Sequence, residues 1–266
     1  MKRFLASLAA AACIAAPQGP ALAITDGAPD GQGHPYVGLL VFDVDGDPAW
    51  RCSGTLLSPT ILLTAGHCTS GATGGRVWFQ ADARSLPDYP DGLPLPTTSV
   101  AFAAMATHPL FTDNAFFLHD VGIVKLSQPV ALAEYGVLPA ANLLDTFKKK
   151  DVTFTSVGYG LQKSFPDAAA WKDVALRIRM LATPKLIQIN VPGSVGDFSM
   201  LLSNNAHTGG TCFGDSGGPN FLGSTNLIAG VTSYGKNGTC AGTGGVFRLD
   251  RQNVLDFING FIAAHP

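Results

Sequence analysis

Nowhere do the 266 residues contain an apolar run long enough to cross a bilayer. The stretch from Phe4 to Ala16 has 13 residues, broken by Ser7, where a spanning helix needs about 20. Paired C-x-x-C cysteines are missing, which removes the usual ligand spacing of a structural zinc site. Basic charge is scarce: 17 Lys and Arg stand against 19 Asp and Glu, so the formal charge of −2 offers no broad attraction for nucleic acid. The one basic run, Lys148 to Lys150, reads as a solvated turn. The acidic spacing Asp43-x-Asp45-x-Asp47 lacks two residues of a calcium loop. Pro48 occupies the place of its invariant glycine and Gly54 that of its closing glutamate. No internal repeat is visible.

What is present begins with an export signal. Lys2 and Arg3 precede the apolar run, Pro17 and Gly19 end it, and Ala21-Leu22-Ala23 supplies the small residues of a cleavage site. Residues 1–23 are therefore expected to be a secretory signal peptide. Cys13, after three alanines, faintly resembles a lipoprotein box, but the larger apolar residue of that box is absent. Removing the signal leaves 243 residues with 15 basic and 19 acidic side chains, a formal charge of −4. That length is enough for two cores of ordinary size. Cys13 leaves with the signal, and Cys52, Cys68, Cys212 and Cys240 remain. An even number suits two disulfides in an oxidising compartment, with three pairings open. The mature protein is expected outside the cytoplasm, extracellular or periplasmic, and off the membrane.

Short period-two segments dominate the rest. "DVTFTSV" alternates Val152 and Phe154 with threonines, and "KLIQINV" alternates Leu186 or Ile187, Ile189 and Val191 with Gln188 and Asn190. Such runs, split by Gly, Pro and Asp clusters, argue for an all-β sandwich or barrel. "VFDVDGDPAW" reads as a hairpin whose Asp45-Gly46 suits the positive φ angles of a tight turn. Pro87, Pro90, Pro94 and Pro96 mark an extended loop. Only the C-terminus reads as a helix: Val254, Leu255, Ile258, Phe261 and Ile262 share one face, with Asp250 or Asn253 as its cap.

The segment "TCFGDSGGPNF" is where chemistry concentrates. Gly214, Gly217 and Gly218 leave the Ser216 hydroxyl uncrowded and the backbone N–H groups free to face a substrate. The pattern also satisfies G-x-S-x-G, the nucleophile elbow of α/β-hydrolases, and a serine among glycines is often no more than a surface loop. Chain order separates these readings. An α/β-hydrolase needs its acid and then its histidine after the serine, yet only His265 follows Ser216, one residue from the end. Ahead of it lie "LLTAGHCTS" with His67 and "FLHDVGIVKL" with Asp120.

In that order, and over nearly the whole mature chain, the sequence resembles the chymotrypsin/trypsin family of serine proteases. "CSGTLLSPTILLTAGHC" resembles the family's approach to its catalytic histidine, and "HPLF" with "HDVGIVKL" the stretch that carries the aspartate. "SVGYG", "TSYG" and "GGVF" follow in the expected places. The resemblance implies two packed six-stranded antiparallel β-barrels with a C-terminal α-helix. The expected divisions are 24–129 for the first barrel, 130–150 for a linker, 151–252 for the second barrel and 253–266 for the helix.

The resemblance also implies roles. His67 would be the general base and acid, Asp120 its orienting partner and Ser216 the nucleophile, with the backbone N–H groups of Gly214 and Ser216 as oxyanion hole. Ser233 would support Asp120. Cys52–Cys68 and Cys212–Cys240 would be the disulfides. Gly210, Thr211, Phe213, Ser233, Tyr234, Gly235 and Gly245 would shape the specificity pocket. With Gly210 at its base and no aspartate there, the pocket is expected to favour Phe, Tyr, Leu or Met over Arg and Lys. An Ile24-Thr25-Asp26-Gly27 start would place a free Ile24 amine against Asp215, although Thr25 departs from the family's usual valine. Pairing would raise that amine above its free pKa of about 8. The Ala-Leu-Ala site abuts Ile24, so the export cut would itself be the activating cut. His34, His108, His119 and His207 are expected to be structural. The resemblance implies protein or peptide substrates, a monomer, a possible proteinaceous inhibitor, and no cofactor or metal. The alternatives are a catalytically inactive relative that keeps the barrels for binding, and an esterase on another fold.

Overall fold

The computed structural model describes residues 24–87, 93–147, 152–162, 177–191 and 196–266. The expected signal segment 1–23 with Cys13, Pro90, and the Lys148–Lys150 turn lie outside the described residues. A two-residue strand, β1 (Ala28–Pro29), comes first. Then follow β2 (Val37–Val44), β3 (Asp47–Leu56), β4 (Ile61–Thr64), a single helical turn α1 (Gly66–Thr69), β5 (Gly74–Trp78), β6 (Val100–Thr107) and β7 (Gly122–Leu126). The six strands from β2 to β7 close into an antiparallel barrel in the order β2-β3-β4-β7-β6-β5. Its first hairpin turns at Asp45-Gly46, with φ of 53° and 95°. Two positive φ angles match the right-handed twist of the flanking strands, which is why this dipeptide makes the turn.

The second half contains β8 (Phe154–Gly158), β9 (Met180–Ala182), β10 (Leu186–Val191), β11 (Gly196–Asn204), β12 (Pro219–Leu222), β13 (Ile228–Gly235) and β14 (Gly242–Arg248). The sheet runs β1-β9-β8-β12-β13-β14-β11-β10. Pro184 separates β9 from β10 and has no N–H to contribute to a ladder. Because β9 pairs with β8 and β10 pairs with β11, the two act as one bent strand. A bridge between Thr153 and Lys185 continues the seam, so the sheet curls into a second barrel. Within β10 the alternation fails. Register shifts fall at Ile187 and Asn190, so Leu186 and Ile189 are buried three residues apart and Ile187 faces solvent.

One apolar core spans both barrels, running from Leu40, Leu62 and Ile123 to Phe221, Ile228 and Val231. Fully burying each such side chain is worth about 1.5–3 kcal/mol. The C-terminal helix α2 (Gln252–Ala264) adds Val254, Ile258 and Phe261 to this core. Arg251 is its N-cap, without a side-chain cap. Asp250 is used elsewhere: its carboxylate accepts from the fully buried Arg248 and from the Leu144 amide at 2.9 Å. A buried guanidinium without a carboxylate would be far costlier than an uncapped helix.

A second buried arginine ties the barrels to the N-terminal segment. Arg179 donates through Nε to Asp30 Oδ2 at 2.8 Å, and through its other nitrogens to the carbonyls of Gly31, Val37 and Phe79. His34 Nδ1 bonds the second oxygen of Asp30. Burial would push this carboxyl up, but the bonds from His34 and Arg179 hold it below its ordinary value. With β1 paired to β9 as well, the segment preceding the first barrel is built onto the second.

Candidate active site

His67 lies in α1, directly after β4, and Asp120 in the turn that enters β7. Asp120 is fully buried and receives three donors. Its Oδ1 accepts the His67 backbone N–H at 2.8 Å, its Oδ2 lies 2.9 Å from His67 Nδ1, and Ser233 Oγ donates to Oδ2 at 2.5 Å. Ser233 belongs to β13, so the aspartate of the first barrel is held from the second. Burial alone would lower the pKa of His67, but the charge of Asp120 and its hydrogen bond outweigh burial and raise it above the ordinary histidine value.

Ser216 sits in the loop before β12, and His67 and Ser216 line one cleft of about 420 Å³. The loop is clamped from the first barrel by Ser53, whose N–H donates to Ser216 O at 2.8 Å and whose hydroxyl donates to Gly214 O at 3.0 Å. Gly214 and Gly217 have φ of 93° and 75°, a region costly for any residue with a Cβ. At Gly217 a Cβ would also stand 2.0 Å from Thr64 Oγ1. The amides of Asp215, Gly217 and Gly218 are spent on the carbonyls of Cys212, Thr232 and Asp215. Among the described residues the Gly214 and Ser216 amides have no such acceptor, which leaves two donors beside the serine hydroxyl.

Asp215 points the other way, into the second barrel. It is fully buried, and among the described residues its oxygens accept only the backbone N–H groups of Gly160 at 2.7 Å and Cys212 at 2.9 Å. Desolvation pushes its carboxyl up to about 7, despite those two bonds. A Cβ at Gly160 would lie 2.5 Å from its carboxyl carbon, so the glycines of "SVGYG" make room for this side chain. Ile24 is fully buried against Ile178, Met180 and Ala182, and with residue 23 attached its nitrogen is an amide.

Of the expected pocket residues, Thr211, Phe213, Ser233, Tyr234 and Gly235 line the cleft. Gly210 and Gly245 do not. A Cβ at Gly210 would meet Asn204 Cγ at 2.3 Å, and one at Gly245 would meet the Tyr234 ring at 2.4 Å, so neighbouring side chains fill both places. Phe116, Asn237, Gly238 and the Cys212–Cys240 bridge complete the wall. Phe116, edge-on to the His67 ring at 6.2 Å, was missed from sequence, where the adjacent Phe116-Phe117 pair before "LHD" was its one sign. Ser53 and Asn204 gave no local signal. Cys52 is bonded to Cys68 beside His67, so neither sulfur of that Cys-His-Cys group is a thiolate able to take a metal. Outside the cleft, His34 bonds Asp30, His108 stacks on His119, and His207 is exposed.

Comparison with known proteins identifies the family. The trypsin family matches residues 25–258. Serine protease 1 of Drosophila melanogaster is 28% identical over 222 residues, covering 82% of this chain and 77% of its own. Brachyurin of Leptuca pugilator is 28% identical over 198 residues, 73% of this chain and 80% of its own. Among solved structures, HL collagenase superposes with a TM-score of 0.69 at 21% identity, covering 90% of this chain and 99% of that one, a likeness of fold. The chain belongs to the trypsin family, and by class it is a serine endopeptidase with the two-barrel chymotrypsin fold.

Proposed function

We propose that this chain is an exported endopeptidase that cleaves peptide bonds by acyl transfer through Ser216. One observation carries the reading: His67 Nδ1 is fixed on buried Asp120 while its ring shares a cleft with Ser216. Anchored through Nδ1, the imidazole is left with Nε2 as proton acceptor. It takes the Ser216 proton as Oγ attacks the carbonyl carbon, then gives that proton to the departing amine. Water, deprotonated by the same nitrogen, then releases the acyl group from the serine. The Gly214 and Ser216 amides hold the oxyanion, with a loss of about 3–4 kcal/mol expected per donor removed. A small alkyl fluorophosphonate should label Ser216, and Ser216→Ala should abolish labelling and lower peptide hydrolysis about 10⁶-fold. Undiminished hydrolysis by that variant would defeat the proposal.

Substrate preference follows from the wall of the cleft. Phe116, Phe213, Tyr234 and a disulfide supply apolar surface, and no carboxylate is among the described lining residues. The Lys236 ammonium stands 5.6 Å from the Tyr234 ring centroid and adds a positive charge beside that wall. Burying a large apolar side chain there is worth about 25 cal/mol per Å², so cleavage after Phe, Tyr, Leu or Met is favoured over Arg or Lys.

Export and activation form one event in this reading. A cut after Ala23 frees the Ile24 amine, which pairs with Asp215 and holds the serine loop in its working shape. In support, Ile24 is buried, and Asp215 is a desolvated carboxyl served, among the described residues, by two backbone donors. Sequencing the secreted protein should find Ile24 first; a start at residue 13 or 17 would mean a separate propeptide.

A further inference from the structure

We propose that Asn204 is a positioning residue for substrate selection, linking the docked N-terminal segment to the wall of the cleft; this rests on the protease reading above. Asn204 ends β11 and is buried. Its Nδ2 donates to the Thr211 carbonyl at 2.9 Å, and its Oδ1 accepts the Thr25 hydroxyl at 2.6 Å. Thr25 is fully buried, and its backbone carbonyl accepts the Gly210 N–H at 3.1 Å. Thr211, the next residue, lines the cleft with Ser216. The Asn204 side chain also occupies the space that any side chain at Gly210 would need.

The arrangement gives residue 25 a reason to be threonine. Valine would fill the same volume but leave the Asn204 carbonyl oxygen buried without its donor, and such an orphan is costly. Alanine at 204 would strip the Thr211 carbonyl of its donor and open a hole behind Gly210. If the Ile24–Asp26 segment leaves its seat, Asn204 loses one of its two anchors, and the wall held through Thr211 loosens. The shape of the cleft therefore depends on N-terminal docking by a route that does not pass through Asp215.

The test uses purified protein and the variants Thr25→Val, Thr25→Ser and Asn204→Ala. Substrates are peptide anilides differing only in Phe or Ala before the scissile bond. A small alkyl fluorophosphonate, too small to fill the cleft, reports the Ser216 labelling rate. Thr25→Val and Asn204→Ala should each raise KM for the Phe peptide about tenfold, the scale of one buried hydrogen bond. The Phe-over-Ala ratio should fall with it, while kcat and labelling stay within about twofold. Thr25→Ser, which keeps the hydroxyl, should restore KM, and the double variant should be no worse than the worse single. Unchanged KM and Phe-over-Ala ratio in both single variants would overturn the proposal. So would a Thr25→Ser defect equal to that of Thr25→Val, additive losses in the double variant, or a parallel fall in labelling. Failure of the unaltered protein to label would instead sink the protease reading itself.

Discussion

Asp120 and Asp215 are both fully buried, one beside the histidine of the first barrel and one beside the serine of the second, and the chain treats their charges differently. Asp120 is enclosed by donors from both barrels: the backbone and ring of His67, and the hydroxyl of Ser233. Asp215 has two backbone amides, and among the described residues no cationic side chain pairs with it, so desolvation lifts its carboxyl to about 7. Folding alone completes the first environment. The second is a buried carboxylate site still short of a counter-charge, and buried carboxylates in that condition take up a proton. One half of the site is thus built by the fold, while the other is left responsive to whatever positive charge can reach it.

The comparison can be broken most directly at Asp120. Asp120→Asn should lower kcat about 10⁴-fold, a magnitude carried over from the chymotrypsin triad, by releasing the histidine tautomer. The acid limb of the pH–rate profile should also move. In the proposed mechanism His67 must be neutral to accept the serine proton, so activity should fall as pH drops through its raised pKa. Without the Asp120 charge that midpoint should shift downward. A profile that stays in place would show that some other group raises it.

Asp215→Asn should have a smaller effect on rate, about 10²-fold in kcat, comparable to losing an oxyanion donor. Stability should fall too, because the Asn amide nitrogen would face the N–H of Gly160 or Cys212 where a carboxylate oxygen accepts it. The fall in melting temperature should be larger in a form beginning at Ile24, whose amine also loses its partner, than in a chain still carrying residues before it. Equal falls in the two forms would refute the pairing.

The subtlest difference is in stability against pH. Between about pH 4 and 7 folded Asp215 keeps a proton that the unfolded chain has released, so the native state binds more protons there. Its contribution is full below the ordinary carboxylate pKa and is lost as pH rises through about 7, on the order of 4 kcal/mol in all. A form beginning at Ile24, with its amine paired, should lack that decline. His67 has the same sign but is common to both forms, so urea unfolding of the two at pH 4, 5.5 and 7 isolates Asp215. Parallel curves would refute the pairing.

Much of this architecture was readable locally. Asp45-Gly46 announced its turn because positive φ is a property of those two residues, not of their surroundings. The apolar face of α2 followed from spacing. His67, Asp120 and Ser216 were legible as an ordered set because three ordered motifs are far more specific than one. Where reasoning from sequence fell short, a distant partner had decided the outcome. Asp250 or Asn253 was expected to cap the helix, but Arg251 holds the cap position and a buried guanidinium takes Asp250. The side chains of Asn204 and Tyr234 stand against Gly210 and Gly245, contacts that no local pattern announces. The strand that β9 and β10 share is bent at Pro184, and Ile187 turns outward where simple alternation left it level with Leu186.

The chain's own residues determined the class of fold, the tight hairpin, the helical face and the order of the three candidate site residues. These depend on backbone preference, periodicity and motif, all of which act over a few residues. Only the tertiary structure decided which buried charge would be satisfied, which side chain would stand behind the cleft, and that Thr25 would meet Asn204 across 179 positions of chain. Such pairings depend on which surfaces the two barrels bring together, and no local pattern encodes a neighbour that arrives from the far end of the sequence.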